Sequence, residues 1–330
     1  METITTAPGR LLLALLLCAG VTRAAPVTLK AGEGKIDVLV GGKPFTTYYF
    51  SKAVAKPYLM PLRTASGVVI SRSFPVANSV SDADRKDLSF EPHQRPLYFG
   101  HGLIDGLDFW AEEAFAPYYH SPASHAYGRV SLVKVEEMKE GADVGTLRAR
   151  FHLLSPGGRV IAEETQTFRF RGDERARMID CEFVVEANHG PVTFGDTKEG
   201  TFALRLGREL SAPHDHMTNS NGAQGEPAIW GKPADWVEYT GTVSGKPVSV
   251  AVFDHPSSFH HPTTWHARAY GLFAANPFGL REFTNDPQKD GSWTVPEGKS
   301  LTFRYRVIID EVTLSRSQLA AMFRQYAETP

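Results

Sequence analysis

The chain has 330 residues, and its 35 Lys+Arg against 37 Asp+Glu give a formal net charge of -2 at pH 7. That balance offers no excess for binding a polyanion, so nucleic acid and anionic membrane surfaces are poor partners. With 42% hydrophobic and 22% charged residues the composition is globular rather than disordered or collagenous, and 29 Gly, 22 Pro and an 11% aromatic share point to many strands joined by turns.

The N-terminus differs from everything after it. Arg10 precedes the apolar run Leu11 to Ala19, and Thr22-Arg23-Ala24 supplies small residues at the cleavage positions of a secretory signal peptide. A membrane anchor would need about 20 apolar residues, more than this run provides. Residues 1–24 are therefore expected to be removed, leaving 25–330 as one domain in the periplasm or outside the cell. Loss of Arg10, Arg23 and Glu2 moves the net charge from -2 to -3. Leu17 stands where a lipobox would carry Ala or Gly, which argues against lipid attachment at Cys18. Cys181 then remains as the only thiol, so no internal disulfide can form and stability must come from packing.

Period-two alternation runs through the mature chain. It predicts strands over Lys35 to Val40, Phe45 to Phe50, Val68 to Phe74, Val130 to Glu136, Leu147 to Leu153 and Ile161 to Phe170. The same pattern continues over Arg177 to Glu186, Phe202 to Leu206, Trp236 to Val243, Val248 to Phe253, Arg268 to Phe273 and Leu301 to Ile309. In the seventh of these, Ile179, Cys181, Phe183 and Val185 share one side and Asp180, Glu182 and Glu186 the other, which makes Cys181 a buried thiol rather than a nucleophile. Half-wet alternation of this kind belongs to antiparallel sheets. Only the C-terminus asks for a helix, where Ser315 and Gln318 have capping-box spacing ahead of Leu319, Met322, Phe323 and Tyr326. The predicted fold is all-β, a large antiparallel β-sandwich with one C-terminal helix.

Three stretches break the alternation: Val76 to Gly128, Gly207 to Asp235 and Asp254 to Gly279. Loops this long inside a compact domain are usually functional. Ten of the twelve histidines fall in them, at 93, 101, 120, 125, 214, 216, 255, 260, 261 and 266. Imidazole titrates nearest neutral pH, so the accumulation suggests acid/base work or metal ligation. His214-Asp215-His216 has a spacing that some metal sites use but lacks a spaced third ligand. Glu91-Pro92-His93-Gln94-Arg95 brings a carboxylate, an imidazole and a guanidinium together. His266, Arg268 and Tyr270 share one face if their segment is extended, and Glu199 sits in a polar turn entering a strand. Trp110, Trp230, Trp236 and Trp265 lie in or beside the long stretches, where an indole can stack on a sugar or fill a core. No GxxxxGK[ST], GxSxG or HExxH motif occurs, which removes phosphoryl transfer and serine hydrolysis of the usual kind.

Taken together, the segments 57–62, 92–95, 101–102, 106–110, 196–200, 219–222, 230–232 and 262–279 resemble the PmoA-like family of secreted bacterial proteins. That family's Asp-His-Pro-His-His-Arg-Gly stretch corresponds to Phe90-Glu91-Pro92-His93-Gln94-Arg95-Pro96, which keeps His93 and Arg95. The family label implies a methane oxygenase subunit, an integral membrane protein, whereas this chain has no apolar span of about 20 residues beyond its leader. The resemblance implies instead carbohydrate metabolism and, in outline, the galactose-mutarotase-like supersandwich, whose members bind sugars on a concave sheet with His, Glu and Arg.

These readings lead to an exported carbohydrate-active hydrolase, lyase or epimerase. His93, His101, Glu199 and His266 are its candidate acid/base groups; Arg95, Trp110, Trp230, His255, Arg268, Tyr270 and Asn276 are its candidate substrate contacts. The expected partner is a small sugar or oligosaccharide, with no cofactor and no metal. A non-catalytic sugar-binding protein and a metal-dependent oxygenase using His214 and His216 are the alternatives.

Overall fold

The alternating segments form antiparallel strands in the computed structural model, which describes residues 24–72, 91–118, 125–211 and 216–330. The proposed leader through Arg23, His120, His214 and the end of the expected Val68 to Phe74 strand lie outside the described residues.

Two eight-stranded antiparallel sheets make the body of the molecule. The front sheet runs, in spatial order, Val27–Gly32, Lys35–Val40, Lys43–Tyr49, Tyr58–Leu59, Leu97–Phe99, Phe202–Arg205, Leu272–Ala275 and Trp265–Arg268. The back sheet runs His216–Asn219, Trp236–Val243, Lys246–Asp254, Ser300–Asp310, Ala176–Glu186, Val160–Gly172, Gly145–Leu154 and Arg129–Lys139. Alternation decides which side of each strand is dry. Ile179, Cys181, Phe183 and Val185 are buried while Asp180, Glu182 and Glu186 are half-exposed, as the sequence pattern requires. The two dry faces meet ring on ring, with Phe99 stacked on Phe183 at 4.4 Å and Phe202 on Tyr305 at 4.6 Å between centroids. Burying one such side chain is worth about 1.5–3 kcal/mol, and a single apolar cluster of this kind spans both sheets. Cys181 is part of it, and burial holds its thiol pKa well above the usual range.

The C-terminal helix Arg316–Ala327 begins at the anticipated capping box, Ser315 bonding the Gln318 amide while the Gln318 side chain answers at the Ser315 backbone. Its buried Leu319 and Tyr326 pack on Trp236, Phe253 and Ile308, so the helix covers the outer face of the back sheet. Among the described residues no helix is long and apolar enough to cross a membrane.

Three expectations need correction. The segment Arg268 to Phe273 is not one strand: the chain reverses through Gly271, at φ +91°, into the strand pair Trp265–Arg268 and Leu272–Ala275. Among its described residues, Val68 to Phe74 contributes only isolated bridges at Val69 and Ser71. Two single-turn helices stand where the sequence pattern predicts none, Glu226–Ile229 inside the stretch Gly207 to Asp235 and Leu280–Thr284 just after Gly279. The reversal at Gly271 lies on the outer face of the front sheet, where the candidate site is found.

Candidate functional site

One row of side chains crosses the front sheet on its outer face. Tyr49, Tyr58, Tyr98, Ala203, Ala274 and His266 stand directly opposite one another on successive strands. Strands lie about 4.8 Å apart, so Tyr98 and His266 are about 14 Å apart across two alanines. The alanines add little height to this floor, and Trp110 packs into the same apolar patch. The adjacent row holds Arg205, Leu272 and Arg268. At the turn beyond it, the Tyr270 ring lies under both guanidinium groups, Arg205 at 4.8 Å and Arg268 at 5.8 Å. Arg205 also donates to the Tyr270 carbonyl oxygen.

His266 is 3% exposed, and its Nδ1 lies 2.9 Å from the Lys198 carbonyl oxygen. A carbonyl can only accept, so Nδ1 carries the proton and Nε2 keeps its lone pair. Burial lowers the pKa of His266; Glu199 opposes that shift while Lys198 and Arg268 reinforce it, and the ring is held neutral. Nε2 makes no hydrogen bond to a described residue. Glu199 reaches the same face from the turn before the Phe202–Arg205 strand. Its carboxylate, one-third exposed, is 2.8 Å from Lys198 Nζ. Lys198 is gripped from the other side by Glu282 at 3.1 Å. Burial opposes its charge, but the two carboxylates outweigh burial and raise its pKa. Arg268 is held by Glu226, Nη1 to Oε1 at 3.0 Å, and the second Glu226 oxygen accepts from the Ala269 amide at 2.6 Å.

The opposite wall is the segment from Glu91 to Arg95. Buried Arg72 clamps it by donating to the carbonyl oxygens of Glu91 at 2.7 Å and Gln94 at 3.3 Å. His93 sits 3.6 Å from the Glu91 carboxylate and edge-on to Trp110. Burial first, then Lys56, lower its pKa well below the usual value despite Glu112, so this imidazole is also neutral. Behind it lies a buried triad. Arg95 grips Glu112 with both arms, Nε to Oε1 at 2.8 Å and Nη2 to Oε2 at 2.5 Å, and Lys56 Nζ approaches the same carboxylate at 2.9 Å. Burial alone would raise the Glu112 pKa, but the two cations win and bring it down to about 2. Arg95 and Glu112 of this triad line a cleft of about 980 Å³ together with Tyr58, Phe115 and Tyr127.

Four buried polar atoms around this face have no hydrogen-bond partner among the described residues: Tyr98 Oη, Gln94 Oε1, Trp110 Nε1 and Arg268 Nε. Buried polar atoms are nearly always paired, so a cluster of such exceptions marks a place where a polar ligand or ordered water completes the network. Burial, then Glu199, raises the Tyr98 pKa well above its usual value, and burial likewise raises that of Tyr270; both phenols stay protonated.

The structure therefore brings His93, Glu199, His266, Arg268 and Tyr270 to one face, and it places other candidates elsewhere. His101 is sealed in the interior between Phe194 and Phe278, its Nε2 2.8 Å from the Gly195 carbonyl oxygen, and burial lowers its pKa to about 4; this position gives it packing work. Arg95 is committed to Glu112 and acts as a strut rather than a free substrate clamp. Trp110 is buried to 1%, so its ring faces are covered by protein and only Nε1 points to an unmet partner. Trp236 and Trp265 are buried too, and half-buried Trp230 packs edge-on against Phe283. His255 is on the far side, against Tyr326 of the C-terminal helix. Asn276 spends its amide on backbone, donating to the Thr197 carbonyl and accepting from the Phe278 amide, so it shapes the turn that carries Glu199. His216 is exposed at the edge of the back sheet, and among the described residues no three His, Cys, Asp or Glu side chains are grouped to hold a metal.

Several contributors were not anticipated: Lys56, Arg72, Gln94, Tyr98, Glu112, Arg205 and Glu226. Tyr98 lies between Leu97 and Phe99 in a uniformly apolar trio, which hides the polar edge of its ring. Glu226 offered a legible sign, an acidic residue followed by Pro227 at a helix start.

Comparison with solved structures returns distant likenesses. A protein named as a kojibiose phosphorylase, from the human microbiome, is 10% identical at a TM-score of 0.30, over 56% of this chain and 21% of its own. The alpha-galactosidase from Lactobacillus brevis is 9% identical at 0.41, over 91% and 42%. The Slr1438 protein from Synechocystis sp. PCC 6803 is 10% identical at 0.32, over 94% and 100%. The chain thus spans less than half the length of the first two, and the fold assignment rests on the two layered sheets themselves. No curated protein matches in sequence. Residues 35–324 match the model of a family of unknown function (DUF6807), and the chain belongs to that family.

Proposed function

We propose that the protein is an exported enzyme that moves a proton on a carbohydrate, an epimerase or lyase in type, with His266 as its base. The observation that carries this reading is the pairing of a neutral imidazole, its Nε2 lone pair uncommitted, with the one-third-exposed Glu199 carboxylate on a face where Tyr98, Gln94, Trp110 and Arg268 hold unpaired polar atoms. Nε2 accepts a proton from a sugar carbon or hydroxyl, and the imidazolium so formed keeps its Nδ1 bond to the Lys198 carbonyl. Glu199, one of the charges favouring that imidazolium, stabilises it as it forms. Tyr98 and Tyr270, both held protonated, are donors for an oxygen that gains negative charge. Arg268, braced by Glu226, suits a carbonyl or carboxylate of the same substrate. The resemblance to PmoA-like secreted proteins supports both the export and the sugar.

The test is a turnover screen of the protein from Ala25 onward against neutral, keto and acidic sugars. His266→Ala should lower kcat/KM by 10²- to 10⁴-fold, about 3–5 kcal/mol of transition-state stabilisation. Because burial lowers the His266 pKa, the acid limb of the pH profile should lie below 6.5. A loss of less than threefold would remove His266 from the mechanism, and sugar binding without any turnover would make the protein a receptor instead.

A further inference from the structure

A second aromatic site lies on the other side of one helical turn. Trp110, Trp236 and Trp265 are at most 1% exposed, whereas Trp293 is 44% exposed. Trp293 borders a cavity of about 390 Å³, within the range of small-molecule clefts, together with His260, Thr264, Leu280, Asp290 and Ser292. Its ring is braced rather than loose: Phe259 and His260 each approach it at 5.4 Å between centroids, and these two stack on one another at 3.8 Å. The backbone is fixed by antiparallel pairing of Trp293 with Phe194. A pre-oriented flat ring loses little freedom when a ligand stacks on it. Polar groups stand beside it, the Asp290 carboxylate being oriented by the Ser292 amide at 2.9 Å. A flat apolar face next to a fixed carboxylate and hydroxyls matches a pyranose ring, whose axial C–H groups stack while its hydroxyls donate.

The wall between this cavity and the His266 face is the helix Leu280–Thr284. Leu280 lines the cavity, while Glu282 accepts from the Lys198 amide at 2.9 Å and the Phe283 ring stands 6.4 Å from His266. A helix with its side chains is about 10–12 Å across, so the two sites lie within the span of one extended glycan. We propose that Trp293 and its cavity form a second glycosyl-binding subsite, and that the natural ligand is an oligosaccharide or polysaccharide rather than a single sugar. The polymeric character of the ligand rests on the carbohydrate reading above, but its test does not use turnover.

The experiment is native affinity electrophoresis of the full mature protein through gels containing soluble xylan, glucomannan, mixed-linkage β-glucan, pectin or alginate. At least one polymer should retard the wild type. Trp293→Ala, checked by an unchanged urea midpoint, should weaken that interaction at least tenfold, and Trp293→Phe should restore part of it. Retention of full retardation by Trp293→Ala overturns the proposal, as does a wild type that no polymer slows. Retardation that depends on Trp293 in a protein that turns over no sugar would uphold the subsite and refute the acid/base reading.

Discussion

Glu164 lies between the two sheets, 2% exposed, where a carboxylate has no cation beside it. Gln166 donates to its Oε1 at 2.5 Å, and Tyr48 in turn donates to Gln166 Oε1 at 2.7 Å. Burial dominates this balance and raises the Glu164 pKa from 4.5 to about 7. The unfolded chain ionises Glu164 near 4.5 and the folded chain does not until about 7, so over that interval the folded state holds the extra proton and stability falls as pH rises. At 1.36 kcal/mol per unit, a shift of about 2.5 units costs about 3 kcal/mol once both states are ionised. Glu164→Gln keeps an acceptor for Gln166 and cannot ionise. Urea unfolding of both proteins should show the variant more stable by about 1 kcal/mol at pH 5 and about 3 kcal/mol at pH 8. All other titrating groups are common to the two proteins and cancel in the difference. A gap that does not change between pH 5 and pH 8 would refute the reasoning, because it would mean that the folded protein accommodates the charged form.

Glu112→Gln should destabilise by about 3–5 kcal/mol in urea, since it leaves Lys56 and Arg95 buried beside a neutral amide; the wild type should lose the same contribution as pH falls from 4.5 towards 2. Gly102→Ala places a methyl 2.9 Å from Glu199 Cβ and 3.1 Å from its carbonyl oxygen, so kcat/KM should drop at least tenfold while the urea midpoint moves little. Cys181 should fail to react with a thiol reagent at pH 8 in the native protein and react at once in denaturant.

The layers of this fold are written in side-chain periodicity wherever a strand is long enough to have one. Ile179 to Val185 and Leu301 to Ile309 announce a dry and a wet face, and Ser315 with Gln318 announces the last helix. Tyr58–Leu59 and Leu97–Phe99 are too short to show a period, yet they carry the middle of the candidate site. In the site, His266 and Arg268 could be put on one face by counting residues. Tyr270 reaches that face for a different reason, since the strand has already ended and Arg205 pulls the turn into place. Burial is what sequence could not supply. Nothing in their own neighbourhoods distinguishes His101, which fills the interior, from His93, which walls the site. The partner that commits Arg95 sits 17 positions away at Glu112.

The row from Tyr58 through Tyr98, Ala203 and Ala274 to His266 joins parts of the chain that are more than 200 residues apart in synthesis order. Neighbours so distant along the polypeptide meet late, because closing large loops must precede the contacts that reward it. No fragment shorter than the span from Tyr58 to Ala274 can contain this floor, and a truncation removing either the residues before Tyr98 or those after Ala203 would leave the remaining half without an opposite bank. The floor in this architecture is a property of the completed sheet, gained all at once.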